Sequence, residues 1–304
     1  MRLLLTLVAC LLAMAAVAQK AADNGSFFFT TSDSTRLYVR VAGKGQPCLF
    51  LHGGPGSTSH YFEASDGRRV EDFMQMIYID LRGSGRSGSA PSGDYSIARL
   101  EKDLEELRRY LGHAKWTVMG HSFAGLLLTN YAAYHPDRIR SLVYVNCTLN
   151  LTASAESWID FGIRELKLQD TKALKDPAVP ALQRMGLISE KLNEKGVWYK
   201  LMFATPEAKA KSDSVSFQSF PEFNFEYGQK VWGNPEYMQD YTPLTAKISA
   251  PTLVVTGARD FAVGPEHYKA FRFPNSRVAV YDGGHCPFQE GGDWFVNEVR
   301  QFVK

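Results

Sequence analysis

The sequence predicts an α/β fold, a mostly parallel, doubly wound sheet with an inserted helical cap. Short unbroken apolar runs, among them Cys-Leu-Phe-Leu at 48–51 and Met-Ile-Tyr-Ile at 76–79, suit strands buried on both faces. Segments with helical spacing of their apolar residues separate these runs, and strands that alternate with helices build a parallel sheet. From 149 to 243 the alternation stops, and the chain reads as helical and charge-rich with no buried strand. A segment of that kind between two strands of one sheet is an inserted cap. It divides the chain into a core, 19–148 with 244–304, and a cap, 149–243.

In chain order, 27–31 and 36–41 read as two strands joined by a hairpin at Ser32, Asp33 and Ser34. After the strands at 48–51 and 76–79 comes a helix. Ile97, Leu100, Leu104, Leu107 and Leu111 recur at helical spacing, and Ser96 stands where a side-chain oxygen can accept a free N–H of the first turn. The run 116–119 is a strand, and 123–135 a helix ended by Pro136, whose ring cannot continue it. Strands at 142–145, 252–255 and 278–281 follow, and a helix from Trp294 to Val303 closes the chain.

Composition narrows the function. With 304 residues, 45% hydrophobic and 22% charged, the chain can bury a sizeable core and is not a disordered one. Thirty-four basic against 32 acidic side chains give a net charge of +2, so no bulk attraction draws it to nucleic acid or an anionic membrane. Four cysteines are too few for a disulfide scaffold, and no pair has metal-ligand spacing. No two of the seven histidines share the i, i+4 spacing of a helical zinc site. Metal and nucleic-acid partners are therefore not expected.

Met1 and Arg2 precede an apolar run from Leu3 to Ala18 in which only Thr6 is polar. Its 16 residues fall short of the roughly 20 a membrane-crossing helix needs. Ala16-Val17-Ala18 before Gln19 is a small-x-small pattern, so 1–18 reads as a secretory signal cleaved after Ala18, and export without stable membrane insertion is expected. The alternatives are an uncleaved anchor and a lipoprotein box, Leu7-Val8-Ala9-Cys10, with the lipid on Cys10. Cleavage leaves Cys48, Cys147 and Cys286, an odd number, so at least one thiol stays free. Cys48 and Cys147 lie in strand-like runs and read as buried hydrophobes, and nothing near Cys286 marks it as an activated thiolate.

The chemistry centres on Gly120-His121-Ser122-Phe123-Ala124-Gly125, a G-x-S-x-G turn between a strand and a helix. Small residues flank the serine because the turn is too sharp for side chains, and the turn lifts its hydroxyl above the sheet edge. A serine hydroxyl needs a base to take its proton, and the base needs an orienting carboxylate. Asp260 directly follows the strand at 252–255, and His285 follows the strand at 278–281. Both fall at the carboxyl ends of strands, where open α/β sheets place their sites. His52-Gly53-Gly54-Pro55-Gly56 follows the strand at 48–51. Its glycines let backbone N–H groups approach a substrate oxygen, and Gly54, less securely Gly53, with Phe123 are the expected oxyanion donors.

These motifs, with Asp80-Leu-Arg-Gly-Ser-Gly-Arg-Ser87, resemble the α/β-hydrolase superfamily, and within it most closely the proline iminopeptidase group of serine peptidases. The resemblance spans roughly 27–147 and 244–304. It implies a Ser122, Asp260, His285 triad, no cofactor, and removal of an N-terminal residue, often proline, from short peptides. Asp80 and Arg82 are expected to brace loops around the site. The resemblance also implies cap glutamates that hold the substrate ammonium. Glu226 stands about where one is expected, but the tryptophan-glutamate pair that usually precedes it is absent. Eight of the 25 residues from Phe217 to Tyr241 are aromatic, which suits either a pocket lining or glue between cap and core. The alternatives to a peptidase are a carboxylic ester or lactone hydrolase with the same triad, and a binding protein on an inactive hydrolase fold.

Overall fold

The computed structural model describes residues 24–215 and 223–304. The expected leader, 1–18, and two of the aromatic residues, Phe217 and Phe220, lie outside the described residues. Among the described residues eight strands form one sheet: β1 (Gly25–Thr30), β2 (Arg36–Ala42), β3 (Gln46–Leu51), β4 (Met74–Ile79), β5 (Trp116–His121), β6 (Ile139–Val145), β7 (Thr252–Gly257) and β8 (Ser276–Tyr281). Their spatial order is β1-β2-β4-β3-β5-β6-β7-β8. β2 pairs antiparallel with β1 and β4, and every pair from β4 through β8 is parallel. The expected doubly wound sheet is the observed one.

Alternation of side chains splits the strands between two cores. Leu49, Leu51, Ile77, Ile79, Val118, Leu142 and Tyr144 face one of them. Cys48, Phe50, Met76, Tyr78, Met119, Val143 and Val145 face the other. Helices α1 (Ile97–Tyr110) and α2 (Ala124–Tyr134) cover the first face, and the C-terminal helix Gly292–Val303 covers the second. All five periodic positions of α1, Ile97, Leu100, Leu104, Leu107 and the flanking Leu111, are buried, and Ser96 Oγ caps the helix by accepting from the Arg99 N–H at 3.2 Å.

Between β6 and β7 lie α3 (Leu151–Glu165), α4 (Ala181–Glu194), α5 (Pro206–Ser214) and α6 (Glu226–Val231), with shorter turns of helix between them. α3 and α4 close on a small apolar cluster of their own, built by Ile159, Phe161, Leu174, Ile188, Leu192 and Leu201. No helix among the described residues is long and apolar enough to cross a membrane.

One feature differs from the sequence reading. Residues between β3 and β4, given no element above, form the short helix His60–Glu63 and a 3-10 helix, Asp66–Asp72. Phe62 at their start is fully buried, so packing rather than periodicity makes this turn. β8 is the edge of the sheet, and its Val278 and Val280 are exposed while Ala279 is buried, because one face of an edge strand has no helix over it here.

Candidate active site

Ser122 follows β5 with φ 58°, a left-handed backbone that a residue with a Cβ rarely adopts and that persists only where its surroundings hold it. They do. The Ser122 N–H donates to the Val145 carbonyl at 3.0 Å, and the Ser122 carbonyl accepts from Gly125 and Thr148, both at 3.1 Å. A Cβ at Gly125 would lie 2.5 Å from the Thr148 carbonyl oxygen, so the second glycine of the turn is a steric necessity.

Asp260 stands in the turn after β7 and His285 in the turn after β8, adjacent parallel strands. His285 Nδ1 lies 2.9 Å from Asp260 Oδ2, and the two are 2% and 1% exposed. Asp260 Oδ1 accepts from the Ala262 and Val263 N–H groups at 3.0 and 3.2 Å. Oδ2 also accepts from Asn146 Nδ2 at 2.6 Å. Four donors thus surround a buried carboxylate and hold both of its oxygens in place. Asn146 was not singled out in the sequence. It follows β6 as Asp260 follows β7, and the same strand-end rule marks it. Its Nδ2 faces two groups that only accept, the Asp260 carboxylate and the Gly284 carbonyl at 3.1 Å.

Ser122 and His285 both line two adjoining cavities. The larger, about 270 Å³, is walled by Leu151, Trp158, Leu182, Met185, Trp198 and Trp232. The smaller, about 190 Å³, is bounded by Ser57, Tyr61, His121, Cys286 and Gln289. Among the described residues Ser122 Oγ has no hydrogen-bond partner, so the serine shares both cavities with His285, whose partner Asp260 lies behind it, without a closed bond to the imidazole. Apo geometry of this kind is commonly looser than the reacting complex.

The oxyanion donors separate cleanly. The Gly53 N–H donates to Tyr61 Oη at 2.8 Å, so it is taken. Among the described residues neither the Gly54 nor the Phe123 N–H has a protein acceptor. His52 Nδ1 donates to the Gly53 carbonyl at 2.8 Å, while its Nε2 accepts from the Leu81 N–H at 3.0 Å. That carbonyl shares a planar peptide with the Gly54 N–H, so holding one end aims the other. Burial lowers the His52 pKa, which keeps the ring neutral as this donor and acceptor pair requires. A Cβ at Gly53 would sit 2.7 Å from Ser122 Cβ, which fixes glycine there.

Asp80 and Arg82 line neither cavity. Burial raises the Asp80 pKa, but the Arg86 guanidinium, 2.7 Å from Oδ2, outweighs it and the net shift is downward. Asp80 also accepts from the Thr58 hydroxyl and the Ser59 N–H, which ties the turn after Pro55 to the end of β4. Arg82 bridges Asp103 of α1 at 2.6 Å and Asp33 of the first hairpin at 2.9 Å. Both brace loops.

Glu226 is not brought to the site. It opens α6, its N–H donates to Asn224 Oδ1 at 3.0 Å, and it lines neither cavity. Burial, with the neighbouring Glu226 carboxylate, raises the Tyr95 phenol. Of the six described aromatic residues between 217 and 241, Tyr227, Tyr237 and Tyr241 are buried in the main core and only Trp232 lines either of the two cavities at Ser122. The other aromatic walls, Trp158 and Trp198, come from elsewhere and carry no local sequence signal. Cys48, Cys147 and Cys286 are free and buried, and burial raises all three thiols. Among the described residues no group of three His, Cys, Asp or Glu side chains could hold a metal ion.

Known proteins agree with this architecture. The chain is 26% identical over 292 residues to a proline iminopeptidase of Lactobacillus helveticus, covering 88% of this chain and 93% of that one. A proline iminopeptidase-related protein from Thermus thermophilus superposes with a TM-score of 0.75 at 20% identity, covering 92% of this chain and 99% of that one. An esterase from Exiguobacterium antarcticum gives 0.68 at 20% identity, with the same coverage of both chains. At such identities the two structures show the fold alone. The family model for the alpha/beta hydrolase fold matches residues 46–292, most of the sheet and all of the residues placed around Ser122, and the chain belongs to that family.

Proposed function

We propose that the protein is a serine hydrolase that cleaves carboxylic acid derivatives through an acyl-enzyme. The observation that carries this is the buried Asp260–His285 pair, 2.9 Å apart at the ends of two neighbouring strands, whose His285 member lines the same two cavities as the strained Ser122. Ser122 Oγ attacks the carbonyl carbon as His285 takes its proton. Asp260 holds the imidazole by Nδ1 and stabilises its charged form. The Gly54 and Phe123 N–H groups receive the oxyanion, and the negative charge that develops there meets donors already in place. His285 then returns the proton to the leaving group, and a water activated the same way releases the acid.

For the substrate, the lining is the most direct guide. Three tryptophans, two methionines and two leucines wall the larger cavity, and no carboxylate among the described residues lines either one. A desolvated ammonium needs such a partner. The site therefore suits a neutral, apolar acyl group, as an ester or amide. The second reading, release of an N-terminal residue such as proline, is favoured by the name of the Lactobacillus helveticus relative.

The test pairs a fluorophosphonate probe with two substrate series, acyl nitrophenyl esters and prolyl or alanyl anilides, with Ser122→Ala as the blank. Covalent labelling of wild type and none of Ser122→Ala is expected, with esters preferred by kcat/KM. Wild type that is folded and never labelled would overturn the serine-hydrolase reading. Anilides turned over faster than esters would shift the assignment to the aminopeptidase.

A further inference from the structure

We propose that the Tyr61 hydroxyl and the His121 imidazole form a positioning chain that holds the oxyanion loop, the nucleophile turn and the base in register, an inference that rests on the serine-hydrolase reading. Neither residue has a role in the reaction as derived so far. The Gly53 N–H meets Tyr61 Oη at 2.8 Å, Tyr61 Oη meets His121 Nδ1 at 2.8 Å, and His121 Nε2 meets the His285 carbonyl at 3.0 Å. The chain spans three connections that leave different strands: Gly53 and Tyr61 after β3, His121 at the end of β5, His285 after β8.

The direction of every proton follows from the partners. The His285 carbonyl can only accept, so Nε2 of His121 carries the hydrogen. In the neutral ring Nδ1 is then an acceptor. The Gly53 N–H can only donate, so Tyr61 Oη accepts it and turns its own hydrogen toward Nδ1. One tautomer and one hydroxyl rotor satisfy all three contacts. Burial holds the His121 pKa well below its usual value and raises that of Tyr61, so neither member ionises near neutrality and breaks the pattern. The rings also pack, His121 against His285 at 4.6 Å between centroids and Tyr61 against Phe288 at 5.8 Å.

Two consequences bear on the reaction. By taking the Gly53 N–H, Tyr61 leaves Gly54 as the free donor of that loop. By holding the His285 backbone to the residue before Ser122, His121 limits how far base and nucleophile can drift apart. Tyr61 and His121 are positioning residues. Misplacement by about 1 Å at such sites costs on the order of 100-fold in rate.

Tyr61→Phe removes one oxygen and keeps the ring. The expected result, on whichever ester or anilide wild type turns over, is a kcat at least tenfold lower with KM within twofold. Affinity for a boronic acid that mimics the tetrahedral intermediate should fall by the same factor as kcat/KM. His121→Gln keeps a donor that can reach the His285 carbonyl, but its δ atom is a carbon, so nothing stands in the place of Nδ1 to accept from Tyr61. It should match Tyr61→Phe, and the double variant should be no worse than either single one. Wild-type kcat in Tyr61→Phe, boronate affinity that does not follow the rate, or additive losses in the double variant would each overturn the chain. If wild type labels with fluorophosphonate and the variants are unaffected, the chain alone falls. If folded wild type never labels, the reading beneath it falls as well.

Discussion

At the scale of single residues, Asp260 has more partners than its role needs for orientation alone. It accepts from His285, Asn146 and two backbone N–H groups while almost fully buried. Asp260→Asn keeps the shape and removes the charge, and an amide facing His285 Nδ1 favours the wrong tautomer. A loss of about 10³–10⁴-fold in kcat with little change in KM is expected, and a loss under tenfold would remove Asp260 from the triad. Glu101 gives a prediction away from the site. Its carboxyl on α1 is pushed up to about 7 by burial and by the nearby Glu236, and one of its oxygens is buried without a partner. Because the folded pKa exceeds the unfolded 4.5, the folded state binds the extra proton between these values, and stability falls as pH rises from about 4.5 to about 7. Glu101→Gln should therefore stabilise the protein at pH 8, by up to about 3 kcal/mol, and do little at pH 4. Denaturant midpoints at the two pH values check it, and equal midpoint changes at both would refute it.

At the scale of elements, the segment after α4 anchors the turns that carry Asp260 and His285. The Leu201 carbonyl accepts from the Phe261 and Ala262 N–H groups at 3.0 and 2.9 Å, and the Met202 carbonyl from the His285 N–H at 2.6 Å. Trp198 of the same segment walls the larger cavity, so a cavity wall and the anchoring of the Asp260 and His285 turns share one short segment. Close approach demands glycine at 284, where a Cβ would stand 2.1 Å from the Met202 carbonyl oxygen. Gly284→Ala must push that segment away from His285. A kcat lowered at least tenfold with native circular dichroism is expected, and wild-type kcat would show that the junction does not position the base. The periodicity of α1 and its Ser96 cap were legible in the sequence because each depends on residues within two turns of one another. The helix His60–Glu63 was not, since a single turn is held by the burial of Phe62 in a core made by distant strands.

At the scale of the whole molecule, the sheet sets the site by bringing the carboxyl ends of β3, β5, β6, β7 and β8 to one edge. The charge balance of +2 supplies no bulk attraction toward a strongly charged partner. Residues 1–18 we propose to be a leader removed on export. Mass spectrometry of the protein from its native host should find Gln19 as the first residue. A retained Met1 or a lipid-bearing Cys10 would refute simple cleavage.

The sequence by itself determined the order of elements, the Ser122 turn, and the strand-end positions of Asp260, His285 and Gly54. Each is written in a local pattern of a few residues, with backbone geometry that only certain side chains permit. Only the tertiary structure decided that Glu226 lines neither cavity, that the Gly53 N–H is occupied by Tyr61, and that Trp158, Trp198 and Trp232 share one wall. Those outcomes depend on contacts between segments far apart in the chain, as with Asn146 and Asp260, 114 positions distant, and no local pattern encodes which distant surfaces will meet.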